Sequence, residues 1–166
     1  MTDQELQSLS GLARQVIDRA MAAGVMLTTA ESCTGGMVAA ALTDIAGASA
    51  VLDRGVVTYS NAAKTELLGV PEAILETHGA VSRQTAAAMA DGALHAAPDA
   101  GLAIAVTGIA GPGGGTAEKP VGLVWFGLAN RHNDTVTAKH IFSGDREAVR
   151  LRATATALDM LRDGIG

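Results

Sequence analysis

The run Gly-Leu-Ala-Ile-Ala-Val-Thr at 101–107 carries no polar side chain before Thr107. Successive side chains of a strand point to opposite faces, so an unbroken apolar run needs cover on both. That requirement implies a sheet enclosed between two layers of helix.

The flanking segments supply those helices. From Asp3 to about residue 23, Leu6, Leu9, Leu12, Val16, Ile17 and Ala20 recur at threes and fours, with Asp3 or Thr2 as cap and Gly24 as stop. Further helices are expected over 37–45, over 61–68 behind a Ser60 cap, and from Pro71 to Gly79. Two more are expected over 83–97 behind Ser82 and over 145–162. Strands are expected at 25–29, within 51–59, and at 101–107, 121–129 and 135–142. Asn130-Arg-His-Asn-Asp suits a hairpin turn, so the last two strands are read as antiparallel and the sheet as mixed. No repeat or linker divides residues 1–166, which read as one domain.

Composition narrows the function. Apolar residues make up 48% of the chain, which excludes disorder, and aromatics only 2%, so the core is aliphatic. A net charge of −5 with four aromatics offers neither the cationic field nor the stacking surface that nucleic acids need. No apolar run is long enough to span a bilayer. The N-terminus carries no signal-like segment, and Cys33, the single cysteine, cannot close an internal disulfide. These features point to a cytoplasmic protein without membrane attachment. The alanine-rich helix over 83–97 permits a homo-oligomer, although burial inside one subunit explains it equally well.

Four stretches could carry chemistry. Thr29-Ala-Glu-Ser-Cys-Thr-Gly-Gly lies between a strand and a helix, where a nucleophile meets unpaired helical N–H groups. Ser32 and Cys33 are both eligible, and Thr34, Gly35 and Gly36 complete the turn. Equally, Ser32 or Thr34 could simply cap the helix. In Thr58-Tyr-Ser-Asn-Ala-Ala-Lys, a Ser60 cap places Tyr59 and Lys64 at the two positions that face each other in a hydrophobic staple. A lysine in a first helical turn opposes the dipole, which lowers its pKa and suits a general base. The alternative is a lysine stem lying on the ring with its head in water.

A loop with five glycines between Gly108 and Gly115 follows Thr107; it matches no phosphate-loop fingerprint and suits a lid, with Thr107 the better candidate for direct contact. Finally, Arg146 stands in the first turn of the last helix, with Arg150 one turn on. An anion nearby would explain it, and so would a local ion pair. His78, His95, His132 and His140 lack metal-ligand spacing, so no metal and no cofactor is expected.

TAESCTGG (29–36), DRGVVTYSNAAK (53–64), HGAVS (78–82), TGIAGPGGG with EKPVG (107–115, 118–122) and FSGDR (142–146) together resemble the C-terminal domain of the competence/damage-inducible protein CinA over residues 3–162. The extra N-terminal domain of longer members has no counterpart, which points to the stand-alone form. The resemblance implies a three-layer α/β/α sandwich with a mixed, mostly parallel sheet. It also implies hydrolysis of the carboxamide of nicotinamide mononucleotide, a small-molecule substrate, to nicotinate mononucleotide and ammonia. By motif it assigns Ser32, Lys64 and Tyr59 as catalytic, and Thr107 and Arg146 as substrate contacts. Gly108, Thr34, Gly35 and Gly36 join these as expected binding positions. A non-catalytic nucleotide-binding module and another small-amide hydrolase are the competing expectations.

Overall fold

The computed structural model describes residues 3–166, with side chains from residue 9 onward. Thr2 lies outside the described residues, as do the side chains of Asp3 and Leu6. The elements in order are α1 (Asp3–Ala23), β1 (Met26–Glu31), α2 (Met37–Thr43), a 3-10 turn (Ala48–Ala50), β2 (Leu52–Val57), α3 (Asn61–Leu68) and α4 (Glu72–His78), followed by α5 (Arg83–Ala96), β3 (Ala100–Gly108), β4 (Leu123–Asn130), β5 (Asn133–Ile141) and α6 (Arg146–Gly164).

The sheet order is β2-β1-β3-β4-β5. β1 runs parallel to both β2 and β3, whereas β3–β4 and β4–β5 are antiparallel. Four strands thus point one way and β4 the other. β3 is central and buried on both sides, as its composition requires. Leu102, Ile104 and Val106 enter one core with Ile17 of α1 and Leu158 and Leu161 of α6. Ala103 and Ala105 face the other, where Met89, Ala90 and Ala93 of α5 pack. Small residues on both partners let α5 lie close to the sheet. At Gly127 of β4 a Cβ would collide with the Ala86 carbonyl and stand 3.1 Å from the Ala90 Cβ.

Helix starts follow their local signals. Ser60, Ser82 and Asp145 accept N–H groups from Ala63, Thr85 and Ala148. Two expectations are refined. The hairpin turn is shorter than expected, because Asn130 and Asn133 belong to the strands. Arg131 leaves that turn to donate to the carbonyls of Leu94, Ala97 and Ala100 at 2.7–2.8 Å, closing the end of α5. Cover on both faces also stops short of β5, where Val136 and Ile141 are each 59% exposed.

The carboxyl ends of β1, β2 and β3 meet at one edge of the sheet. The Ser32 N–H donates to the Val106 carbonyl at 2.9 Å, and the Thr58 N–H to the Glu31 carbonyl at 2.8 Å. The segments leaving all three strands are therefore locked together where a ligand can approach.

Close packing at Gly127 makes Gly127→Ala destabilising by about 1–3 kcal/mol. Gly11, in α1 with nothing within 4 Å of its Cβ position, gains about 0.5–1 kcal/mol on substitution by Ala. Urea unfolding midpoints of the two variants should move in opposite directions.

Candidate active site

The turn after β1 is held from below by a buried carboxylate. Glu31 is 1% exposed and accepts the N–H groups of Gly36, Val38 and Ala39 at 3.0, 3.1 and 2.9 Å. This carboxylate satisfies the start of α2, so neither Ser32 nor Thr34 caps that helix. Gly35 and Gly36 adopt φ of 62° and 99°, the left-handed region glycine enters without strain. The Gly35 N–H closes the turn on the Ser32 carbonyl at 3.0 Å.

From the other side Arg150 donates to the carbonyls of Cys33 and Thr34 at 3.1 and 3.0 Å. In a trans peptide the N–H opposes the C=O, so the Thr34 N–H is directed away from Arg150. The expected oxyanion donors at 33–36 thereby narrow to Cys33, since Gly35 and Gly36 spend theirs on the turn and on Glu31 and Thr34 is fully buried away from the cleft.

Lys64 is the notable side chain. It lies one turn into α3 and is 1% exposed. Its Nζ reaches the Ser32 Oγ at 3.2 Å and donates to the Thr58 carbonyl at 2.6 Å. Among the described residues no carboxylate lies within 4 Å of it. Burial holds its pKa below the ordinary lysine value, against a smaller opposing influence of Cys33. Desolvation, rather than the helix dipole the sequence suggested, is the leading cause. Cys33 is also buried, and desolvation pushes its thiol up to about 11. Of the two eligible nucleophiles, Ser32 faces the amine and Cys33 stays protonated at neutral pH.

Tyr59 does not join Lys64. Its ring is 62% exposed, and its hydroxyl accepts from Arg146 Nη2 at 2.9 Å. The staple geometry fails because Lys64 turns inward to polar partners while Tyr59 stays outside. Arg146 also donates to the Gly111 carbonyl at 2.8 Å. Together Ser32, Lys64, Tyr59, Thr107, Gly108 and Arg146 border a cleft of about 260 Å³. Thr107 is committed to the Ala80 carbonyl at 2.7 Å, leaving its lone pairs for a ligand. Thr34, Gly35 and Gly36 build the turn without bordering the cleft.

The glycine loop is fastened rather than free: besides the Arg146 bond, Lys119 Nζ donates to the His78 carbonyl at 2.6 Å. His140 stacks on Phe142 at 5.3 Å in β5 and takes no part in the cleft.

Glu31, Thr58 and Arg150 were not singled out as site residues from sequence. A signal existed for two of them: an acid just before a helix start suits its dipole, and Arg150 shares a helical face with Arg146. Thr58 acts through its carbonyl, on which residue type is silent.

Fold and site define a three-layer α/β/α protein with a serine–lysine pair in a cleft at the carboxyl edge of its sheet. The CinA C-terminal domain family model matches residues 9–165, and the chain belongs to that family. It is 63% identical over 137 residues to nicotinamide-nucleotide amidohydrolase PncC of Enterobacter agglomerans, covering 82% of this chain and 83% of that one. Identity to PncC of Escherichia coli K12 is 54% over 161 residues, or 97% and 95% of the two chains. The crystal structure of competence/damage inducible protein CihA from Agrobacterium tumefaciens superposes with a TM-score of 0.90 at 52% identity, covering 93% of each chain.

The buried, protonated state of Cys33 predicts slow reaction with a disulfide thiol reagent at mildly alkaline pH and fast reaction after unfolding. Following the released chromophore with and without denaturant checks this.

Proposed function

We propose that the chain hydrolyses the carboxamide of nicotinamide mononucleotide to nicotinate mononucleotide and ammonia. The observation that carries the chemistry is the 3.2 Å approach of a buried, carboxylate-free lysine amine to the Ser32 hydroxyl. The substrate is suggested by the relatives named nicotinamide-nucleotide amidohydrolase.

A neutral amine has two N–H bonds and one lone pair. Donation of one N–H to the Thr58 carbonyl orients the nitrogen so that its lone pair can face Ser32. Ser32 Oγ attacks the amide carbon as Lys64 takes its proton. The Cys33 N–H, at the cleft wall, receives the oxyanion, and because the carbonyl of its own peptide, that of Ser32, is already held by the Gly35 N–H it needs no reorganisation. The C–N bond breaks as the Lys64 ammonium returns its proton to the leaving nitrogen, releasing ammonia. Water, deprotonated in turn by Lys64, cleaves the acyl ester to nicotinate and restores Ser32.

In this reading Tyr59 stands outside the proton path. Tyr59 and Arg146 act as a linked pair on the nucleotide, with the guanidinium toward the phosphate and the loop glycines beside it. Thr107 orients the ring through its free lone pairs.

Ammonia release from nicotinamide mononucleotide should fall about 10³-fold or more in Ser32→Ala and in Lys64→Met, and stay within a few-fold in Cys33→Ala. Tyr59→Phe should raise KM more than it lowers kcat. Because the base must be neutral, kcat/KM should rise with pH along a limb set by Lys64, below the ordinary lysine range. No ammonia at any pH from mildly acidic to mildly alkaline contradicts the amidase reading and favours a binding module.

A further inference from the structure

A second cleft, of about 670 Å³, lies beside the first and has no part in the chemistry above. Val81 borders both clefts. The connection also runs across the sheet: Thr107 of β3 is paired with Trp125 of β4, and Trp125 with Lys139 of β5. Residues directly opposite on adjacent strands share a face and stand about 5 Å apart. Thr107, Trp125 and Lys139 therefore form one row that starts in the serine–lysine cleft and ends in its neighbour.

Three cations border this second cleft, Arg83, Lys119 and Lys139, against one carboxylate, Glu118. Such clustering is unexpected in a chain of net charge −5. Among the described residues none of the three forms an ion pair. The Arg83 Nε donates to the Thr137 hydroxyl at 3.3 Å and Lys119 to the His78 carbonyl, both neutral acceptors. Lys139 Nζ stands 5.8 Å from the Trp125 ring centroid, and the indole is only partly buried. Positive charge without an anion, beside an indole with open surface, matches a ligand that joins a phosphate to an aromatic ring.

We propose that this cleft is a binding site for a nucleoside monophosphate group, its base against Trp125 and its phosphate between Arg83 and Lys139. That group is either a free mononucleotide or the distal half of a dinucleotide whose nicotinamide end occupies the serine–lysine cleft. The site also touches the reaction: Lys119 holds His78 and Thr107 holds Ala80, at opposite ends of the short segment that divides the clefts.

Trp125 is the only tryptophan, so its fluorescence reports binding without any assay of turnover. Titrating the full chain with adenosine monophosphate should give a saturable change. Lys139→Glu and Arg83→Glu should each weaken it by about tenfold or more, whereas Arg146→Glu should leave the midpoint within about twofold. Equal melting temperatures establish that the variants are folded, and equilibrium dialysis with labelled nucleotide repeats the measurement if the indole is silent.

Nicotinamide adenine dinucleotide separates the two sources. If the group is the distal half of a dinucleotide, it binds more tightly than the mononucleotide and responds to both Arg146→Glu and Lys139→Glu. If the group is a free mononucleotide, the dinucleotide binds no better. Absence of saturable binding at millimolar nucleotide in both measurements overturns the proposal. So does a midpoint that Arg146→Glu shifts and Lys139→Glu does not. Neither outcome bears on whether Ser32 cleaves an amide.

Discussion

The site depends on an amine kept out of water without a counter-charge. A charged ammonium at 1% exposure pays a desolvation penalty that a backbone carbonyl and a hydroxyl offset only in part. The neutral form avoids most of that penalty and still satisfies the Thr58 carbonyl. Burial by α3 and the carboxyl ends of β1 and β2 is thus the cause of the basicity change, and the sheet edge is what supplies the burial. The same enclosure leaves Cys33 protonated, so one physical effect separates two adjacent candidate nucleophiles in opposite directions of usefulness.

Around this amine the protein fixes peptide groups rather than side chains. Glu31 absorbs three N–H groups at the start of α2, and Arg150 draws two carbonyls of the preceding turn toward α6. What remains beside Ser32 at the cleft is the Cys33 N–H, whose direction is set by the bond that the Ser32 carbonyl of the same peptide accepts from Gly35. A substrate oxyanion meeting such a donor needs no rearrangement of the turn. Helix α6 thereby serves the site at two heights, with Arg146 at the cleft mouth and Arg150 beneath the nucleophile.

Much of this was legible in the chain because the signals are local. Ser60, Ser82 and Asp145 cap helices through bonds to residues three positions on, and GLAIAVT at 101–107 announces a strand covered on both sides. Ser32 and Lys64 were legible as chemistry-bearing types at element ends, and the family resemblance added that they belong together. What failed was the pairing of Lys64 with Tyr59. Staple geometry describes two side chains that prefer each other to water, whereas the lysine stem is long enough to reach partners on two other segments. Glu31 and Arg150 act across turns whose path is set by β1, β3 and α6 together, information that no window of the sequence holds. The incomplete cover of β5 on both its faces was hidden for the same reason: alternation in that strand does not show which neighbours stop short of it.

The claim at the centre is that burial holds the Lys64 amine below the ordinary lysine range. The chain has only three lysines, 64, 119 and 139, so isotope-labelled lysine side chains give three resolvable NMR signals whose titration can be followed one by one. The account predicts that the Lys64 signal, assigned by its loss in Lys64→Met, titrates below the ordinary lysine range. Titration of that signal within the ordinary lysine range, about pH 10, would contradict it.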